Sequence, residues 1–106
     1  MSVIVTVRIK ADANKLETWA AANKDSLHQI REKAKNHGAI AHRFYSDSNG
    51  NVIVIDEWPD RESFQAFFSE SQADVGPLMA AASAQGEPEV SFLHELQTYD
   101  AYGWAA

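Results

Sequence analysis

Residues 39–58 read Ala39-Ile40-Ala41-His42-Arg43-Phe44-Tyr45-Ser46-Asp47-Ser48-Asn49-Gly50-Asn51-Val52-Ile53-Val54-Ile55-Asp56-Glu57-Trp58. Two runs rich in β-branched and aromatic side chains flank Asp47-Ser48-Asn49-Gly50, and Asn-Gly signals a hairpin because both residues accept positive φ. The pattern predicts antiparallel strands over Ala39–Ser46 and Asn51–Trp58. Side chains alternate across a strand, so His42 and Phe44 share one face, Arg43 and Tyr45 the other, and Asp56 shares its face with Trp58.

Outward from this hairpin the pattern changes period. Upstream, Val3 to Lys10 alternates Val3, Val5, Val7 and Ile9 against Ile4, Thr6, Arg8 and Lys10, a third strand. Between them, Leu16, Trp19, Ala20, Asn23, Leu27, Ile30 and Ala34 recur at helical spacing. Asn14 and Glu17 suggest a capping box at the start of this long helix, and Asn36-His37-Gly38 ends it, with His37 near the negative end of the helix dipole. Downstream, Asp60 can cap a second helix carrying Phe64, Phe67 and Phe68, Gly76-Pro77 restarts a short helical piece, and Gly86 stops it. Glu89 to Tyr99 alternates again and predicts the last strand, followed by an aromatic tail of Tyr99, Tyr102 and Trp104.

The element order is β-α-β-β-α-β, which defines an α+β fold: the split βαβ, or ferredoxin-like, plait of two helices on one face of a four-stranded antiparallel sheet, strand order 4-1-3-2. Nothing in the chain remains to cover the other face, where Ile4, Ile53, Ile55, Tyr45, Leu93 and Tyr99 are expected. An uncovered apolar sheet face invites association. A homodimer with sheets packed face to face follows, together with a part-polar cavity between sheet and helices or between the two sheets.

Composition narrows the chemistry. The 106 residues carry 9 basic and 15 acidic side chains, a net charge of −6, with 45% hydrophobic residues, enough for one core in a single domain over residues 1–106. A chain this acidic lacks the basic footprint that nucleic acid requires. The absence of cysteine excludes disulfides, thiolate nucleophiles and cysteine-ligated metals. No apolar run approaches the ~20 residues of a membrane span or a signal-peptide core, so the product is expected in the cytoplasm. Gly-x-Ser-x-Gly elbows, phosphate-cradling glycine loops and dinucleotide fingerprints are absent from the sequence.

The four histidines show no metal-ligand spacing; His42 and His94 belong to opposite edge strands, ~14 Å apart across three strand spacings, and His28 is expected in solvent. Asp56 and Glu57 point to opposite faces and cannot act as a carboxylate pair. Asp56 is either a base lining a cavity or an acid beside the next helix start. Arg43 with Tyr45 either holds an anionic or phenolic ligand or protects an edge strand from pairing. Phe64, Phe67, Phe68, Leu78 and Met79 have the spacing of a helical core.

At Asp56-Glu57-Trp58-Pro59-Asp60-Arg61-Glu62-Ser63-Phe64 the chain resembles the antibiotic-biosynthesis-monooxygenase-like family, in which an acid, a spacer and a tryptophan end the third strand before an acidic helix start. With the element order, the resemblance spans nearly the whole chain. It implies a dimeric α+β barrel. The family includes cofactor-independent monooxygenases of aromatic polyketides and related quinols, haem-degrading enzymes, and many members with no assigned reaction. Phe67 stands where many members have a histidine, Gly76-Pro77 where haem degraders have one, and Val7 or Arg8 where those carry asparagine; these departures argue against haem.

An oxygenase without cofactor must hold an oxidisable phenol or quinol, deprotonate it and stabilise the anion. The resemblance offers Arg43 as anion stabiliser, Tyr45 as hydrogen-bond donor and His42, His94 or Asp56 as base. Trp58 would stack on the ring, with Phe67 and Tyr99 lining the ligand site. No metal or nucleotide is expected. The alternatives are a binding module without turnover, or an interaction protein whose interior is filled.

Overall fold

The computed structural model describes residues 2–103. Strand β1 spans Val3–Lys10, helices α1 and α2 span Ala13–Ala22 and Lys24–Asn36, and the hairpin strands β2 and β3 span Ala41–Ser46 and Asn51–Trp58. Helices α3 and α4 span Arg61–Glu70 and Gln72–Ala81, and β4 spans Gln85–Leu93. The sheet is antiparallel throughout, in the order β2-β3-β1-β4, with the helices on one face: the ferredoxin-like α+β plait.

The core sits where alternation places it. Val3, Val5, Val7 and Ile9 of β1 and Val52 and Trp58 of β3 are buried beneath the helices, with Leu16, Ala34, Phe64, Phe67, Leu78 and Ala82. Asp60 caps α3 by accepting a hydrogen bond from the Ser63 backbone N–H at 2.8 Å, as its place after Pro59 predicts.

Four local departures have physical causes. Asp12, not Asn14, caps the first helix, accepting from the Lys15 N–H at 3.0 Å. The helix is interrupted at Asn23, whose side-chain amide donates to the Trp19 carbonyl at 2.8 Å and so competes with the backbone ladder. α4 closes at Ala81 because Ser83 takes a positive φ of 55° and turns the chain. β4 therefore begins at Gln85, so Gly86 lies inside a strand rather than at a helix stop, and it ends at Leu93, where its partner Ile4 nears the start of β1. Residues 94–103 form an irregular, exposed tail; Trp104 lies outside the described residues.

The register separates the sheet faces. Beneath the helices, His42 stands opposite Asp56 and Phe44 opposite Val54; on the bare face, Arg43 stands opposite Ile55 and Tyr45 opposite Ile53. Ile4 and Leu93 pair on that same bare face. Tyr99, expected there, lies instead in the tail and is 99% exposed. No helix among the described residues is long and apolar enough to cross a membrane.

Candidate functional site

Between the sheet and helices α2, α3 and α4 lies a cavity of about 450 Å³, within the range of small-molecule sites. Its interior is apolar: Val7 and Val54 form the sheet side, Ile30 and Ala34 come from α2, and Phe64, Phe67 and Leu78 close it from above. Residues with core-like helical spacing thus serve two ends, packing the fold and walling a chamber.

The polar exception is the pair that the β2–β3 register sets face to face. Asp56 is 6% exposed, and both of its carboxyl oxygens are satisfied, as burial of such a group demands. Oδ1 lies 2.7 Å from His42 Nδ1, and Oδ2 accepts the Trp58 indole N–H at 3.1 Å. In the tautomer that donates Nδ1–H to the carboxylate, the lone pair is on Nε2, which has no hydrogen-bond partner among the described residues. An oriented imidazole beside an apolar chamber is equipped to accept a proton from a bound hydroxyl. Phe44 meets the His42 ring edge-on, with centroids 5.1 Å apart, which fixes the ring from a second side.

The other sequence candidates fall in different places. Phe67 lines the cavity. Trp58 is fully buried and does not line it; its indole packs on Phe64 and Phe67 at 5.8 and 5.4 Å, so its part is to hold Asp56 rather than to stack on a guest. Arg43 and Tyr45 lie on the opposite face of the sheet, outside the cavity. His94 follows the end of β4, and Tyr99 lies in the tail; both are exposed and neither lines the cavity. The structure therefore brings together His42, Asp56, Trp58 and Phe67, and not Arg43, Tyr45, His94 or Tyr99.

Sequence reasoning missed one wall. His28, Arg31 and Lys35 of α2 line the cavity at its exposed end, and the only available signal was their spacing beside the apolar stripe Leu27, Ile30 and Ala34. Among the described residues, no group of three side chains is placed to hold a metal ion.

Solved structures share this architecture. An antibiotic biosynthesis monooxygenase matches with a TM-score of 0.63 and 16% identity, over 90% of this chain and 99% of that one. The fold is that of the antibiotic biosynthesis monooxygenases. SnoaB, a cofactor-independent oxygenase from Streptomyces nogalater, matches at 0.58 and 14% identity, over 94% of this chain and 98% of its own. A monooxygenase of Streptomyces coelicolor, solved in complex with nanaomycin D, matches at 0.62 and 17% identity, over 92% and 89%. No family model matches the sequence, and no curated protein does.

Proposed function

We propose that this chain is a cofactor-independent monooxygenase of a small phenol or quinol, with His42 as the base. The observation that carries the reading is the Trp58–Asp56–His42 hydrogen-bond chain at the wall of an apolar cavity. Its fold-mates include an oxygenase described as cofactor-independent and a monooxygenase with nanaomycin D bound.

In this reading the phenol ring lies among Phe64, Phe67 and Val54, and its hydroxyl proton passes to His42 Nε2. The phenolate gives an electron to dioxygen, and superoxide and ring radical join at the para carbon. The imidazolium returns its proton to the resulting peroxide. His42 then takes the ring C–H proton as the O–O bond breaks, leaving a carbonyl on the ring and releasing water. One oxygen atom enters the product, the other becomes water, and the substrate supplies all four electrons. Asp56 stabilises the transient imidazolium, in the way a buried carboxylate supports a catalytic histidine elsewhere.

The bare sheet face is assigned to a second copy of the chain. Ile4, Ile53, Ile55, Tyr45 and Leu93 form an apolar surface there, with Leu93 50% and Tyr45 42% exposed, and burying such a surface is favourable. Arg43 and Tyr45 then belong to the dimer contact.

Oxygen uptake with 1,5-dihydroxynaphthalene tests the chemistry. Conversion to the hydroxyquinone with one dioxygen consumed per substrate is expected, and His42→Gln should slow it by about 10²–10⁴ while the diol still binds. Equal rates in the two proteins remove His42 as base. Binding without turnover in the unaltered chain makes it a binding protein instead.

A further inference from the structure

The cavity has a direction. Val7, Phe64, Phe67 and Leu78 are buried, whereas Arg31, Lys35 and Ile40 are exposed, so the mouth opens between α2 and the chain entering β2. Along this mouth the sign of charge reverses. The chain as a whole carries −6, yet the charged residues lining the exposed end are Arg31 and Lys35, and the one lining acid, Asp56, is buried and already bonded to His42 and Trp58. An acidic protein repels anions unless a local cationic site offsets its field.

Arg31 and Lys35 stand four residues apart on α2, which puts them on one face of the helix. Glu32, just off the cavity lining, shows what they can do together. Its Oε2 lies 3.2 Å from Arg31 Nε and 3.7 Å from Lys35 Nζ, so the two cations converge on a single carboxylate oxygen. All three side chains are more than half exposed, and an exposed pair of this kind is weak and exchangeable. The terminal guanidinium nitrogens of Arg31 have no acceptor among the described residues, which leaves a fork open for bidentate binding.

We infer that the substrate carries a carboxylate, held at the mouth by Arg31 and Lys35 while its aromatic ring fills the interior. The placement of the ring rests on the oxygenase reading; the anion site is tested apart from it. Lys33, on the same helix, serves as a control, because it does not line the cavity and is paired with Asp74 at 2.9 Å.

The probes are 6-hydroxy-2-naphthoate and its methyl ester, which differ in charge and little in shape, with affinity followed by ligand fluorescence in the full chain. The unaltered protein should bind the acid about tenfold more tightly than the ester, the size of one charge-assisted hydrogen bond, and added salt should narrow the gap. Arg31→Gln with Lys35→Gln should bind both probes with the ester's affinity, and Lys33→Gln should keep the preference. Equal binding of acid and ester by the unaltered chain overturns the anion site and leaves the oxygenase reading standing. A preference that survives the double substitution also overturns it. Failure of both probes to bind removes the chamber as a site, and this inference with it.

Discussion

Trp58 donates its indole N–H to Asp56 Oδ2 at 3.1 Å, two residues back along the same strand, while the other oxygen of that carboxyl faces His42. The tryptophan is therefore a positioning residue. Buried against Phe64 and Phe67, it couples the aromatic core to the orientation of a cavity-wall imidazole.

Trp58→Phe keeps an aromatic ring in the core and deletes that N–H. Asp56 Oδ2 then loses its buried partner, and stability should fall by about 1–3 kcal/mol in chemical denaturation. The first-order turnover of the naphthalenediol should drop while its Kd stays the same, because the chamber walls are untouched. A change in Kd alone would return Trp58 to the role of a ligand-stacking residue.

The hairpin that sets His42 against Asp56 is held by Asp47. Its carboxylate accepts from the Asn51 side chain at 3.0 Å, from the Asn49 and Asn51 backbone N–H groups at 2.9 and 3.1 Å, and from Arg8 at 3.1 Å. These donors, the Asn51 side chain foremost, hold its pKa well below the usual carboxylate range. A folded-state value below the unfolded one of ~3.9 means that the stabilisation is present above that pH and is lost as pH falls below it. Melting curves between pH 5 and pH 2.5 should show a steeper loss of stability in the unaltered chain than in Asp47→Asn. Parallel curves would show that the turn contributes nothing to acid sensitivity.

Ile55 lies at the centre of the bare face, opposite Arg43 on one side and Thr6 on the other. Sedimentation equilibrium should give twice 11.7 kDa for the unaltered chain and 11.7 kDa for Ile55→Asp, with helical circular dichroism retained. An unaltered chain that sediments at 11.7 kDa sinks the assignment of this face to a second copy.

Much of the framework was legible because each strand carries its own contrast. β1 sets valines and isoleucine against arginine and lysine, and its predicted range, like that of β3, is the one observed. β2 has no such contrast, since Phe44 on one face and Tyr45 on the other are both aromatic; Tyr45 is nevertheless expected on the uncovered face, and the register places it there. The turn decides the register. The Asp47 N–H donates to the Asn51 carbonyl at 3.2 Å, closing a loop of Ser48, Asn49 and Gly50 in which Gly50 alone has positive φ, at 79°. A two-residue Asn49-Gly50 turn would have set Arg43, not His42, opposite Asp56. One residue of loop length thus decides that His42 and Asp56, both named as candidate bases, meet beneath the helices, while Arg43 and Tyr45 lie on the bare face. The mouth was harder still, since Arg31 and Lys35 read as an ordinary solvated helix face until the neighbouring walls are in place.

The interruption at Asn23 sets off α2 from α1 at one end, and side-chain contacts reach α3 and α4 at the other. Lys33 is tied to Asp74, and His37 to Glu70 at 2.6 Å, whereas the near end meets α1 through a side-chain amide instead of a continuous ladder. The side-chain ties of this helix to α3 and α4 thus gather in its second half, and the chamber wall it supplies takes its direction from the break at Asn23.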